Sequence, residues 1–248
     1  MLRHLTESGA IVQGSDGRWE LQSSIGDLGL PQSVREVICR RVERLGERVE
    51  QILSVAAVVG RTFDVELLGL LVEGDEDELL DTLEKATHAS LLAESPQRVG
   101  RFSFAHALIN HALYDALGVT RRVRLHGRVA VALEELCSEE AGERLVAAFL
   151  EDSAGSAAGS AAILAHHWRE AGEIDRAMDY QLKAAEKAAQ AGVYAEAVAL
   201  YNQAIDSIPD GDAARRRQVE LKRALAYARF SHWAGGAVSD AARARRGV

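Results

Sequence analysis

The chain has 248 residues, 48% of them hydrophobic and 27% charged, with a formal net charge of -8 at pH 7. That is enough apolar mass for a sizeable core, drawn mostly from Ala, Leu and Val, and it favours close-packed helices over a β-sandwich. The acidic balance argues against a general nucleic-acid binder, whose affinity rests on Lys and Arg meeting phosphates. Cys39 and Cys137 stand far apart with no CxxC, against a disulfide framework or zinc knuckle and in keeping with a reducing cytoplasm. No apolar run reaches the roughly 18 residues of a membrane span. The sequence contains no GxxxxGK[ST], HExxH or GxSxG pattern.

In chain order, residues 9–22 read as a hairpin, with Ile11 and Val12 pairing with Trp19 and Leu21 across a Ser15-Asp16-Gly17 turn. Ser33 and Glu36 form a capping-box pattern ahead of an amphipathic helix over Val34–Leu45, and Val49–Val59 continues as a more apolar helix closed by Gly60. Helical patterns follow at Val65–Val72 and from Asp75, with Glu78 three residues on, to about Ala89. Leu91–Ala93 and Arg101–Phe104 read as two short strands around the turn at Ser95-Pro96-Gln97, and His106–Leu117 as a helix. Three helices and then a two-stranded wing is the order of a winged helix-turn-helix. From Arg121 nearly everything reads as helical, with an apolar stripe of Leu125, Val129, Ala132 and Leu133. Ser153–Ser160 is small and polar and reads as a loop.

Gly192, Ala197, Tyr201, Ala204 and Pro209 have the spacing of a tetratricopeptide unit, and Trp168, Gly172, Ala177 and Ala184 repeat most of it. The two glycines are 20 residues apart, so the helix Asp175–Gln190 would serve as the second helix of one unit and the first of the next. Leu225, Ala228, Ala237 and Ala241 give a looser third match. An ordinary Ala-rich bundle is the plainer alternative. The expected fold is thus mainly α: a winged-helix domain with a small β-hairpin wing, then an α-solenoid of tetratricopeptide-like repeats.

A winged helix raises the question of DNA, but the helix that would enter the groove carries Glu76, Asp77, Glu78, Asp81 and Glu84 where phosphates would sit. Direct DNA binding is therefore not expected. His106 opens a helix next to a strand, where free backbone N–H groups suit an anionic ligand such as a phosphate. A capping or packing role is the alternative at that position. His166 and His167 point about 100° apart on a helix and cannot clamp one metal by themselves, so no metal site is expected. Arg121, Arg122, Arg124 and Arg128 cluster near one helix start, as a solvated face or an ion-pair contact with a neighbouring domain.

Four runs carry a resemblance: Pro31–Leu45, Val55–Asp64, Arg101–Ile109 and Ala112–Asp115. Together they resemble the segment that follows the nucleotide-binding core in bacterial signal-transducing ATPases of the STAND class, which include LuxR-type transcriptional regulators and cyclase-associated ATPases. The resemblance implies residues 1–31 as the end of an ATPase domain, 32–118 as a winged helix and 119–248 as an incomplete tetratricopeptide-like region. Phe104-Ala105-His106-Ala107 is also similar to the Met-His-Asp motif of NB-ARC switches, which implies an ADP-phosphate sensing role for His106. Ala107 departs from that motif, since it stands where the Asp would be. The phosphate loop and acidic Mg²⁺ motif of the family do not occur in the sequence, so the chain reads as a segment of a longer protein and not as an enzyme. No cofactor is expected for the chain itself, and ATP or ADP with Mg²⁺ only for the full-length family. The implied function is a cytoplasmic, non-catalytic regulatory segment, whose winged helix meets an ATPase domain or partner protein and whose repeats hold a protein or small inducer. A free-standing tetratricopeptide-type adaptor is the alternative.

Overall fold

The computed structural model describes residues 11–13, 19–21, 32–138 and 159–244, with side chains placed over 35–137 and 159–230. Among these, the chain is mainly helical, with ten helices and a small three-stranded sheet besides a separate two-stranded hairpin. The hairpin is β1 (Ile11–Gln13) and β2 (Trp19–Leu21), antiparallel with Ile11 opposite Leu21. Its expected turn lies outside the described residues. Two compact units follow from the packing: residues 1–61 with 74–118, and residues 62–73 with 119–248.

In the first unit, α1 (Gln32–Glu43) and α2 (Glu47–Val59) are joined by a turn at Gly46. Helix α2 buries Val49 and everything from Ile52 to Val59, so it is apolar on almost every side and lies central in its surroundings. Helix α4 (Glu76–His88) begins as its sequence asks: the Asp75 carboxylate accepts the Glu78 N–H at 2.7 Å, and three acidic residues occupy the first turn. Strands β4 (Leu92–Glu94) and β5 (Arg101–Phe104) pair antiparallel, Leu92 opposite Phe104, and α5 (Ala107–Ala116) follows. Helix α5 is tied to the end of α2 by Asn110, whose amide donates to the carbonyls of Ala57 (3.1 Å) and Gly60 (3.3 Å). These are end-of-helix acceptors that α2 itself cannot satisfy.

A third strand, β3 (Thr62–Asp64), was not expected from the sequence; it completes the sheet order β3-β5-β4. Three residues are too short to show an alternating pattern. Helix α3 (Val65–Leu71) follows directly.

The second unit is a run of helices. Helix α3 packs on α6 (Val119–Ser138), where Arg128 Nη2 donates to the carbonyl of Leu71, the last residue of α3. This contact groups 62–73 with the C-terminal helices, although the sequence placed them inside a 32–118 domain. Then come α7 (Ser160–Glu170), α8 (Ile174–Gln190), α9 (Tyr194–Ser207) and α10 (Ala213–Ala244), each packed on the one before. Most of the loop expected over 153–160 lies outside the described residues.

The turns α7–α8 and α8–α9 are built alike. Glu173 N–H bonds to Trp168 O and Gly172 N–H to Arg169 O; Val193 N–H bonds to Ala188 O and Gly192 N–H to Ala189 O. This double bond closure needs a left-handed residue, and Gly172 (φ 83°) and Gly192 (φ 81°) supply it. Between the helices, Ala177, Ala184, Ala185, Ala188, Ala197 and Ala204 are buried, and Trp168, Met178 and Tyr201 fill the space that the small residues leave. After Pro209 the Asp212 carboxylate accepts the Arg215 N–H at 3.0 Å and starts α10. The looser third match does not follow the pattern: Leu225 and Ala228 are exposed, and Val219 and Ala226 carry the burial. Ala237 and Ala241 lie outside the residues with described side chains.

Candidate functional site

His106 sits where the sequence places it, at the position before α5, with extended backbone (φ -139°, ψ 140°). Its ring is exposed and makes no capping hydrogen bond. Only its backbone joins the helix, through Ile109 N–H to His106 O at 2.9 Å. The side chain is thus available to a ligand or a neighbouring domain. Ala107 offers no side-chain polar group beside it, and His111 uses its Nδ1 on the Ala107 carbonyl at 2.9 Å. The acidic residues of α4 face solvent: Glu76, Asp77, Asp81 and Glu84 are all exposed, and Glu78 pairs with Arg48 at 3.1 Å.

The second unit holds an open groove of about 580 Å³ along one side of α6. Three aliphatic side chains on its surface are unusually exposed: Leu70 (56%), Val123 (39%) and Val131 (43%). Arg124 lines it towards the start of α6, Arg128 at the middle of the helix and Glu135 towards the end. Ala171 and Glu173, from the α7–α8 turn, contribute beside the buried Trp168. Trp168 is held in place: its Nε1–H donates to Glu134 Oε1 at 2.9 Å, and the Arg176 guanidinium lies 4.6 Å from its ring centre. Tyr180 also donates to Glu134, and its phenol is pushed up to about 12, first by burial and then by that carboxylate.

Behind the groove, His126 and His167 meet. Their Nδ1 atoms are 2.9 Å apart, and both rings are buried. Only one proton fits between two such nitrogens, so one ring donates and the other accepts. Burial first, then His166 and Arg122, pushes His126 down to about 4. Burial first, then His166 and His126, pushes His167 well below its ordinary value too. His166 lies edge-on to His126 (85°) with its own rim exposed. Among the described residues no group of three or more His, Cys, Asp or Glu is arranged to hold a metal ion. The two buried nitrogens are already spent on each other.

The sequence singled out His166 and His167 but missed their partner His126. The signal was present: His126 follows Leu125 and precedes Val129 by three, so helical spacing puts it on the buried stripe. The groove was missed altogether. Arg124 and Arg128 were read as part of a solvated face or an ion-pair contact with a neighbouring domain, and Val123 and Val131 did not stand out among so many aliphatic residues.

No protein family, curated protein or solved structure was found to match the chain.

Proposed function

We propose that this chain is a non-catalytic regulatory segment of a signal-transducing ATPase, in which a winged-helix unit senses nucleotide state and tetratricopeptide-like helices hold a partner or inducer. The observation that carries the reading is His106: an exposed imidazole at a helix N-terminus, spending no bond on its own cap, beside the strand Arg101–Phe104. A helix N-terminus attracts phosphate through its open N–H groups and dipole, and an imidazole N–H beside them adds a further donor. In this reading the ATPase domain supplies the phosphate cradle and Mg²⁺ ligands, and His106 touches the bound ADP and stabilises the closed state. The acidic face of α4 then serves as a solvated or docking surface and not as a DNA reader.

The test is made on the full reading frame. An in-frame phosphate loop upstream of residue 1 is expected. In the protein so encoded, His106→Ala loosens ADP by about 10-fold or more, the worth of one charge-assisted contact. Folding barely changes, because the ring is exposed. Unchanged ADP dissociation in that variant removes His106 from the site. A reading frame without a phosphate loop, and without an ATPase that co-purifies, removes the nucleotide link itself.

The alternative, a free-standing adaptor, has its own support in the matched α7–α8 and α8–α9 turns and their small-residue interfaces. It assigns the partner to the helices alone and predicts that nucleotide has no effect on partner binding.

A further inference from the structure

The groove on α6 is lined by charged and aliphatic residues in a definite order along the helix. Arg124, Arg128, Val131 and Glu135 follow one another at four- and three-residue spacing, so they form a single stripe along α6. The stripe is basic at its start, aliphatic in its middle and acidic at its end. Its length is about 16 Å at 1.5 Å per residue, the length of three helical turns. Leu70 forms an apolar wall from α3, and Glu173 strengthens the acidic end from the α7–α8 turn. The trough is open along its length, whereas a small molecule is usually enclosed over most of its surface.

We propose that this groove docks an amphipathic helix of a protein partner, about 11 residues long, with carboxylates in its first turn, aliphatic residues at i, i+4 and i+7, and Lys or Arg in its last turn. Charge complementarity selects this occupant. The acidic turn meets Arg124 and Arg128, the aliphatic stripe covers Val123, Val131 and Leu70, and the basic turn meets Glu135 and Glu173. An acidic first turn and a basic last turn are also the arrangement that the helix dipole favours, so such a segment is predisposed to fold on the surface. With that charge order the docked helix runs parallel to α6. The site is independent of any joined ATPase domain.

The probe is a fluorescein-labelled synthetic 14-residue helix of that pattern, titrated with the whole chain by fluorescence anisotropy. Saturable binding is expected. Val131→Asp weakens it by at least tenfold, because it places a carboxylate in the apolar middle. Arg124→Glu weakens it by roughly fivefold, the scale of one exposed ion pair. A second peptide, with Lys in place of the first-turn acids, recovers the loss on Arg124→Glu and binds the unaltered chain more weakly. Both positions are exposed, so circular dichroism and melting of the variants are expected to match the parent. No saturation up to millimolar protein overturns the proposal, as does binding indifferent to both substitutions. Concentration-dependent dimerisation that Val131→Asp abolishes also overturns it, by giving the groove to a second copy of the chain.

Discussion

Ser90 stands in the left-handed region at φ 54°, the one non-glycine residue to do so among the described residues. It closes α4 with the same bond pattern as the glycine turns, Leu91 N–H to Ala86 O and Ser90 N–H to Thr87 O. A side chain there costs about 1–2 kcal/mol against right-handed backbone, and the greater freedom of an unfolded glycine offsets part of that. Ser90→Gly is therefore expected to stabilise the chain by roughly 0.5–1 kcal/mol, read as a higher urea midpoint at unchanged slope. A lower midpoint would mean that the serine makes the turn rather than tolerates it. Asn110 gives the opposite case at the same scale. Its amide serves two carbonyls at the end of α2, so Asn110→Ala loses about 1–2 kcal/mol, and Asn110→Asp loses more because a carboxylate then faces both acceptors. Equal stability of the two variants in urea melts would contradict this account.

Among the helices, register is set by one buried amide. Gln181, on α8, accepts from Arg169 Nη2 on α7 and donates to Gln203 Oε1 (2.8 Å) and the Leu200 carbonyl (3.4 Å) on α9. It is 1% exposed. Gln181→Leu keeps the volume and gains apolar surface, yet leaves a guanidinium and an amide without their partner. The loss of partners outweighs the gain, and a net destabilisation of about 1–3 kcal/mol is expected by chemical denaturation. A neutral or stabilised variant would assign the register to the alanine interfaces alone. This amide was hidden in the sequence, where a glutamine in a helix reads as surface. The alanines around it were not hidden: Ala177, Ala184, Ala197 and Ala204 were named from spacing and are buried, and the two glycines at their turns have positive φ. Helices could be read, down to the two turns of α3, because burial imposes a period on them. Strand β3 could not be, being three residues long, and neither could the register of α10, where alanines offer several equivalent stripes. His106 was legible as a helix-start residue from the strand before it. The groove was not, because its halves lie on α3 and α6, about 50 residues apart in a pattern that only packing brings together.

At the scale of the whole molecule, acid acts in two opposed ways. Lowering the pH reduces the self-repulsion of a chain with net charge -8, which favours the folded state. It also titrates buried imidazoles, which opposes folding. The first effect is small between pH 7 and 5, since most carboxylates titrate lower and surface charges are screened within about 8 Å. The second is concentrated. His126 has an ordinary value of 6.5 when unfolded and about 4 when folded, because burial, His166 and Arg122 all disfavour its cation. The unfolded chain therefore binds the extra proton between these values, so stability is flat above about pH 7, falls as pH drops through 6.5 and levels off below 4. From pH 7 to 5 His126 alone contributes a loss of about 2 kcal/mol. His167 acts in the same direction, since its value is also lowered. His166 faces the pair with Arg169 and Glu170 beside it, and these two charges oppose each other there. The imidazoles thus dominate over net charge, and the chain is expected to melt earlier at pH 5 than at pH 7. His126→Gln removes one titrating ring and keeps an amide to meet His167, so its pH dependence over that range flattens by up to about half, His167 keeping its share. Guanidinium-induced unfolding of both proteins at pH 7, 6 and 5 gives the two slopes. Parallel slopes would show that the pair between α6 and α7 is not what makes this chain sensitive to acid.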